Sequence, residues 1–191
     1  NIINHQTLIA TKAERVKWAA KEDNVLEFGL RRAQGPDAGI YGAKAAVIGG
    51  CGSTSNVLAG QMFDIKLSGT HAHSYVMSYD SELEAFRDYV KSFPNAAILL
   101  VDTYDTLRSG VPHAIEVFKE MREEGVLPEK GKGVYGIRLD SGDLSWLSKE
   151  ARRMLDEAGF NDAVISASSD LDEHLIESLK QQGAKITLWG V

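Results

Sequence analysis

Two histidines stand one residue apart in "SGTHAHSYVMSY", two aspartate-bearing segments read "VDTYD" and "RLDSGD", and arginines occur at Arg31 and Arg138. These residue types share one chemistry. Arg31 and Arg138 offer permanently charged planar forks suited to phosphate or carboxylate. Asp102 and Asp140, as ionised acceptors, suit the vicinal hydroxyls of a ribose or a magnesium ion. An anion site beside a sugar site and a hard-metal site describes a nucleotide or phosphoribosyl pocket. An internal Arg–Asp ion pair explains any single one of these residues equally well.

The positions of these residues in the chain give the set its weight. Short apolar runs alternate with amphipathic stretches: "DIKLSG" and "SELEAFRDYVKSF", "AAILLVD" and "LRSGVPHAIEVFKEMREEG", "GVYGIRLD" and "DLSWLSKEARRMLDEAG", "AVISAS" and "LDEHLIESLKQQG", then "KITLWGV". This is the strand-helix alternation of a parallel sheet. An opening helix over residues 1–22 and a strand in "VLEFGLR" precede it, with helical stretches near 40–47 and 56–63. In parallel architectures ligands bind where strands end at their carboxyl side. The residues after each run are Arg31; Ser68 to Ser74, including Thr70, His71 and His73; Asp102; Arg138, Asp140, Ser141 and Asp143; and Ser168, Ser169 and Asp170. Helix capping accounts for part of this set, notably Asp143 and Asp170. A doubly wound sheet and an eight-stranded barrel both fit six expected strands.

Composition narrows the alternatives. The chain has 191 residues and a formal charge of -6, which disfavours a nucleic-acid surface. Its single cysteine, Cys51, excludes an internal disulfide. No apolar run approaches the roughly 20 residues of a membrane span, and residues 1–21, mixed apolar and charged, do not read as a signal peptide. A His-x-His zinc hydrolase needs further ligands on later strands, but the later histidines, His113 and His174, fall in helical stretches. No G-x-S-x-G elbow is present for a serine hydrolase. A glycosidase pair at Asp102 and Asp140 leaves the arginines unexplained. His5, in the first helix, reads as structural. Both ends look cut, so residues 1–191 are expected to be a single domain of a longer chain.

The segments "EFGLRRAQG", "SGTHAHSYVMSY", "VDTYDTLRSG" and "GIRLDSGDL", in this order, resemble the nicotinate phosphoribosyltransferases. The resemblance implies an incomplete or irregular TIM-like α/β barrel, with a second domain built from segments on both sides of it. It implies a cytoplasmic homodimer in which each site is shared between subunits. The expected substrates are nicotinate, phosphoribosyl pyrophosphate and ATP, with Mg2+ as cofactor, and neither nucleic acid nor membrane as partner. The products would be nicotinate mononucleotide and pyrophosphate, in NAD salvage. By the motif G-T-x-A-H, His73 becomes the phosphohistidine and Thr70 a nicotinate contact, while His71, at the variable position, takes no role. Arg138 matches the arginine that meets the nicotinate carboxylate, and Arg31 a basic residue near pyridine and phosphoribosyl groups. Asp102 and Asp140 match acidic residues near ribose and magnesium, either of them a possible metal ligand. In "GGCGSTSN", Ser53 and Thr54 offer hydroxyls where related nicotinamide-using enzymes have an aspartate. The chain stops before the expected Gly-Thr phosphate loop, so the isolated segment is expected to be inactive. Two alternatives are a quinolinate phosphoribosyltransferase-like enzyme, which uses no ATP, and a non-catalytic fragment of the same fold.

Overall fold

The computed structural model describes residues 2–129 and 131–191; Asn1, the expected start of the first helix, lies outside the described residues. In chain order the elements are α1 (Ile2–Ala20), β1 (Asn24–Glu27), a 3-10 turn (Gly29–Arg32), α2 (Pro36–Ile48), β2 (Ser53–Thr54), α3 (Val57–Phe63), α4 (His73–Val76), α5 (Glu82–Ser92) and β3 (Ala96–Leu100). There follow a π turn (Thr106–Gly110), α6 (Val111–Glu123), β4 (Val134–Leu139), α7 (Leu144–Glu157), β5 (Val164–Ser168), α8 (Glu173–Gln181) and β6 (Leu188–Gly190). Strand pairs run parallel, β1 with β2 and β6, and β4 with β3 and β5. The fold is the α/β class expected from the alternation: a parallel-stranded, incomplete TIM-like barrel, with six strands among the described residues where a complete barrel has eight.

Contacts group the chain into two compact units: one runs up to Gly69 and includes Ser168–Gln182 and Thr187–Val191, the other holds Thr70–Ala167 and Gly183–Ile186. In the first unit, α1 buries Ala13, Val16 and Ala20, whereas Ile3 and Leu8, also part of the expected apolar pattern, are exposed. Asp23 accepts from Lys180 Nζ at 2.5 Å and from the indole Nε1 of fully buried Trp189 at 3.0 Å. That carboxylate thereby ties the α1–β1 turn to α8 and β6. His5 Nε2 lies 3.2 Å from the Ala38 carbonyl, a contact between α1 and α2.

In the second unit α5, α6 and α7 pack on β3 and β4. Strand residues Leu99, Ile137 and Ile165 and the rings of Phe118 and Phe160 are at most 1% exposed. Truncating either ring to alanine costs about 3–5 kcal/mol in sites of this kind. Helix starts follow their caps: Ser81 accepts from Glu84 N and Asp143 from Trp146 N. The α8 cap is Asp172, not Asp170; Asp170 has φ 48° and pairs with Arg32 at 2.5 Å.

Two strand expectations change. "DIKL" contributes one bridge, Thr54 to Leu67, and the second strand is Ser53–Thr54. The first strand ends at Glu27, because the Glu27 carboxylate accepts from Gly29 N at 2.6 Å and turns the chain into the 3-10 segment that carries Arg31.

Candidate active site

In the second unit the sheet ends assemble a polar cluster. Arg138 is the penultimate residue of β4 and Asp140 follows the strand, so the two-residue period places both side chains on one side. Arg138 Nη2 donates to Asp140 Oδ1 at 2.9 Å, and Nη1 to Thr70 Oγ1 at 2.7 Å. The β3–β4 register pairs Leu100 with Arg138, which carries Asp102 opposite Asp140. Asp140 N and Ser141 Oγ both donate to Asp102 Oδ2, at 2.9 and 2.6 Å. The Asp102 side chain is only 3% exposed, and its Oδ1 has no hydrogen-bond partner among the described residues. A buried carboxylate oxygen left in this way is costly unless a ligand meets it.

His73 opens α4 beside these groups. Its Nδ1 lies 3.2 Å from Thr103 Oγ1, and its Nε2 faces Asp140 Oδ2 at 3.5 Å and Asp102 Oδ1 at 3.9 Å. Two carboxylates at Nε2 favour the tautomer protonated there. The lone pair is then on Nδ1, with the Thr103 hydroxyl donating to it. The ring is 38% exposed, open enough to meet a ligand. Thr70, His73, Asp102, Arg138 and Asp140 are therefore brought together, and Arg138 is in an internal ion pair as well.

The remaining expected residues belong to the first unit and have their own surroundings there. Arg31 is exposed on the 3-10 turn and has no ion pair among the described residues. Ser53 is 3% exposed. The hydroxyl of Thr54, fully buried, donates to Glu27 Oε2 and accepts from Asn56 N at 3.0 Å. A cavity of about 450 Å³ in this unit lies between α1 and α2 against Glu27 and Cys51, with largely apolar walls. Burial and the nearby Glu27 push the Cys51 thiol up to about 12, leaving it unreactive.

Sequence reasoning missed Thr103 and Glu27. Thr103 was legible as the residue after Asp102, but its partner stands 30 positions away. Glu27, 8% exposed, sits inside the apolar run "VLEF" and carries no strand-end signal.

Known proteins resemble this chain over its whole length. Over all 191 residues the chain is 56% identical to a nicotinate phosphoribosyltransferase of Bacillus subtilis (strain 168), covering 37% of that protein. The chain belongs to the nicotinate phosphoribosyltransferase family. It is 36% identical to nicotinate phosphoribosyltransferase 2 of Arabidopsis thaliana, again over the whole chain and over 43% of the relative. The structure of human nicotinic acid phosphoribosyltransferase superposes with a TM-score of 0.84 at 31% identity, over 98% of this chain and 47% of that one. No protein-family model matches. The chain spans less than half the length of each of these three nicotinate phosphoribosyltransferases. Among the described residues no helix is long and apolar enough to cross a membrane, and no cluster of three metal-ligating side chains is found.

Proposed function

We propose that this chain carries the phosphohistidine part of a nicotinate phosphoribosyltransferase site. The complete protein would form nicotinate mononucleotide and pyrophosphate from nicotinate and phosphoribosyl pyrophosphate, at the expense of ATP. The observation that carries this reading is His73, with the Thr103 hydroxyl at Nδ1 and the Asp140 and Asp102 carboxylates at Nε2.

In this reading Nδ1 of His73 attacks the γ-phosphorus of ATP, ADP leaves, and the carboxylates stabilise the ring as it gains positive charge. Hydrolysis of the phosphohistidine then drives a phosphoribosyl transfer that is otherwise near balance. Arg138, fixed by Thr70 and Asp140, holds the nicotinate carboxylate and aims the pyridine nitrogen at ribose C1. Arg31 is proposed to serve the pyridine and phosphoribosyl groups, whereas fully buried Thr54 gives its hydroxyl to the Glu27 carboxylate and is assigned no substrate contact in this reading. A bound Mg2+ supplies charge stabilisation for the departing pyrophosphate. Its fit to this chain rests on the unpartnered Asp102 Oδ1, an oxygen donor of the right hardness, with Asp140 beside it. Two carboxylates suit an ion that keeps several waters. We also take the chain as one barrel domain of a longer, two-domain, cytoplasmic polypeptide that works as a homodimer. The partial coverage of its relatives supports the longer polypeptide, and the second domain, the cytoplasm and the homodimer rest on the family resemblance.

The test uses the full-length protein. ATP should accelerate nicotinate mononucleotide formation, and His73→Asn should abolish the acceleration while leaving a slow ATP-independent transfer. Undiminished ATP stimulation in that variant would remove His73 from the coupling step.

A further inference from the structure

His71 occupies the motif position to which no role attaches, yet it is the more buried of the two histidines, 7% exposed against a His73 side chain at 38%. The N–H of Leu100 donates to its Nε2 at 3.1 Å. A ring nitrogen that accepts carries no proton, so the ring is neutral with its proton on Nδ1. Packing fixes its plane: the Tyr89 ring stands edge-on at 4.7 Å between centroids, with Tyr75 at 5.4 Å and Phe86 at 5.8 Å. Leu100 ends β3 and is 1% exposed, so its N–H could not turn to water if the imidazole were removed.

The bond joins two segments that have to meet for chemistry. His73 lies two residues beyond His71, and Asp102 and Thr103 lie two and three residues beyond Leu100. We propose that His71 is a positioning residue: as a neutral acceptor for Leu100 N–H it pins the His73 loop to the strand bearing Asp102 and Thr103, setting His73 for phosphoryl transfer. Burial, the largest influence on the ring, holds its pKa down to about 4, which keeps the acceptor available across the working range of pH. The inference rests on the phosphohistidine reading of His73.

Its test is the rate of acid-labile labelling of the full-length protein by ATP carrying a labelled γ-phosphate. A displacement of about 1 Å can cost on the order of 100-fold in rate, so His71→Leu should label about 100-fold more slowly at saturating ATP. The ATP concentration for half-maximal rate should be little changed. His71→Gln places an oxygen near the Nε2 position and should stay within about fivefold of the parental rate, the worth of one hydrogen bond. A role in folding alone would lower the melting temperature of the leucine variant without this split between rate and ATP dependence. Should the leucine variant not fold, His71→Asn, whose oxygen falls short of Leu100, should be slow where His71→Gln is fast. Labelling at the parental rate in folded His71→Leu or His71→Asn overturns the inference alone. Absence of label in the parental protein overturns the phosphohistidine reading and the inference with it.

Discussion

Replacing Arg138 by alanine separates its two possible uses, as a substrate clamp and as an internal partner of Asp140. The change removes the donors to Thr70 Oγ1 at 2.7 Å and to Asp140 Oδ1 at 2.9 Å. The Arg138 and Asp140 side chains are 15% and 24% exposed, so solvent screens the pair in part and the full cost of a deeply buried pair does not apply. A hydrogen bond to a charged group contributes about 1.5–3 kcal/mol. If Arg138 also holds the nicotinate carboxylate, kcat/KM for nicotinate in the full-length enzyme should fall about 10- to 150-fold. Arg138→Lys keeps the charge but not the fork, and should fall between alanine and the parent. Steady-state kinetics with nicotinate varied, beside urea unfolding, reads both effects. Loss of stability with unchanged nicotinate kinetics would show that the residue serves Asp140 only, and the substrate role would be refuted.

Other perturbations follow from the same cluster and its supports. A Cβ at Gly110 would stand 1.9 Å from the Val101 carbonyl oxygen, so Gly110→Ala should displace the turn after Asp102 and destabilise the protein by about 2–4 kcal/mol; an unchanged urea midpoint would contradict this. His71 titrates near 4 when folded and near its ordinary value of about 6.5 when unfolded. The unfolded chain therefore binds more protons between these values. Stability should fall by up to about 3 kcal/mol as pH drops from 7 to 4. The fall should be shallower in His71→Gln, and equal slopes in the two proteins would refute the assignment. Glu82, 3% exposed, accepts from Ser109 Oγ at 2.6 Å and meets His113 Nδ1 at 2.9 Å. Glu82→Ala should remove the acceptor shared by Ser109 and His113, leaving them only each other at 3.4 Å, and cost about 2–4 kcal/mol in urea unfolding, whereas a neutral effect would show that water replaces the carboxylate.

The parts of the fold legible in the sequence were those set by local rules. Apolar runs in "AAILL", "VYGIRL" and "VISAS" became β3, β4 and β5, and Asp143 caps α7 as its position before "LSWL" implies. Arg138 and Asp140 were legible as neighbours because a strand repeats every two residues. What local pattern could not reveal depended on partners distant in sequence. Ser53–Thr54 forms a strand without an apolar run, held by Thr54 N to Lys66 O and Ser55 N to Glu27 O. "DIKL" has the look of a strand, yet only Leu67 pairs, and Leu67 is 47% exposed. His71 looked like a spectator because its value lies in a backbone N–H 29 residues away.

The most direct test of the account is phosphorylation of His73 in the full-length protein. Incubation with ATP labelled in the γ-phosphate should give acid-labile, alkali-stable label on the peptide containing His73, linked through Nδ1, because Nε2 faces Asp140 and Asp102. The His73→Asn protein, which keeps a polar side chain but loses the nucleophile, should take up none. Label that persists in His73→Asn, or a full-length active protein that is never labelled, would contradict the account.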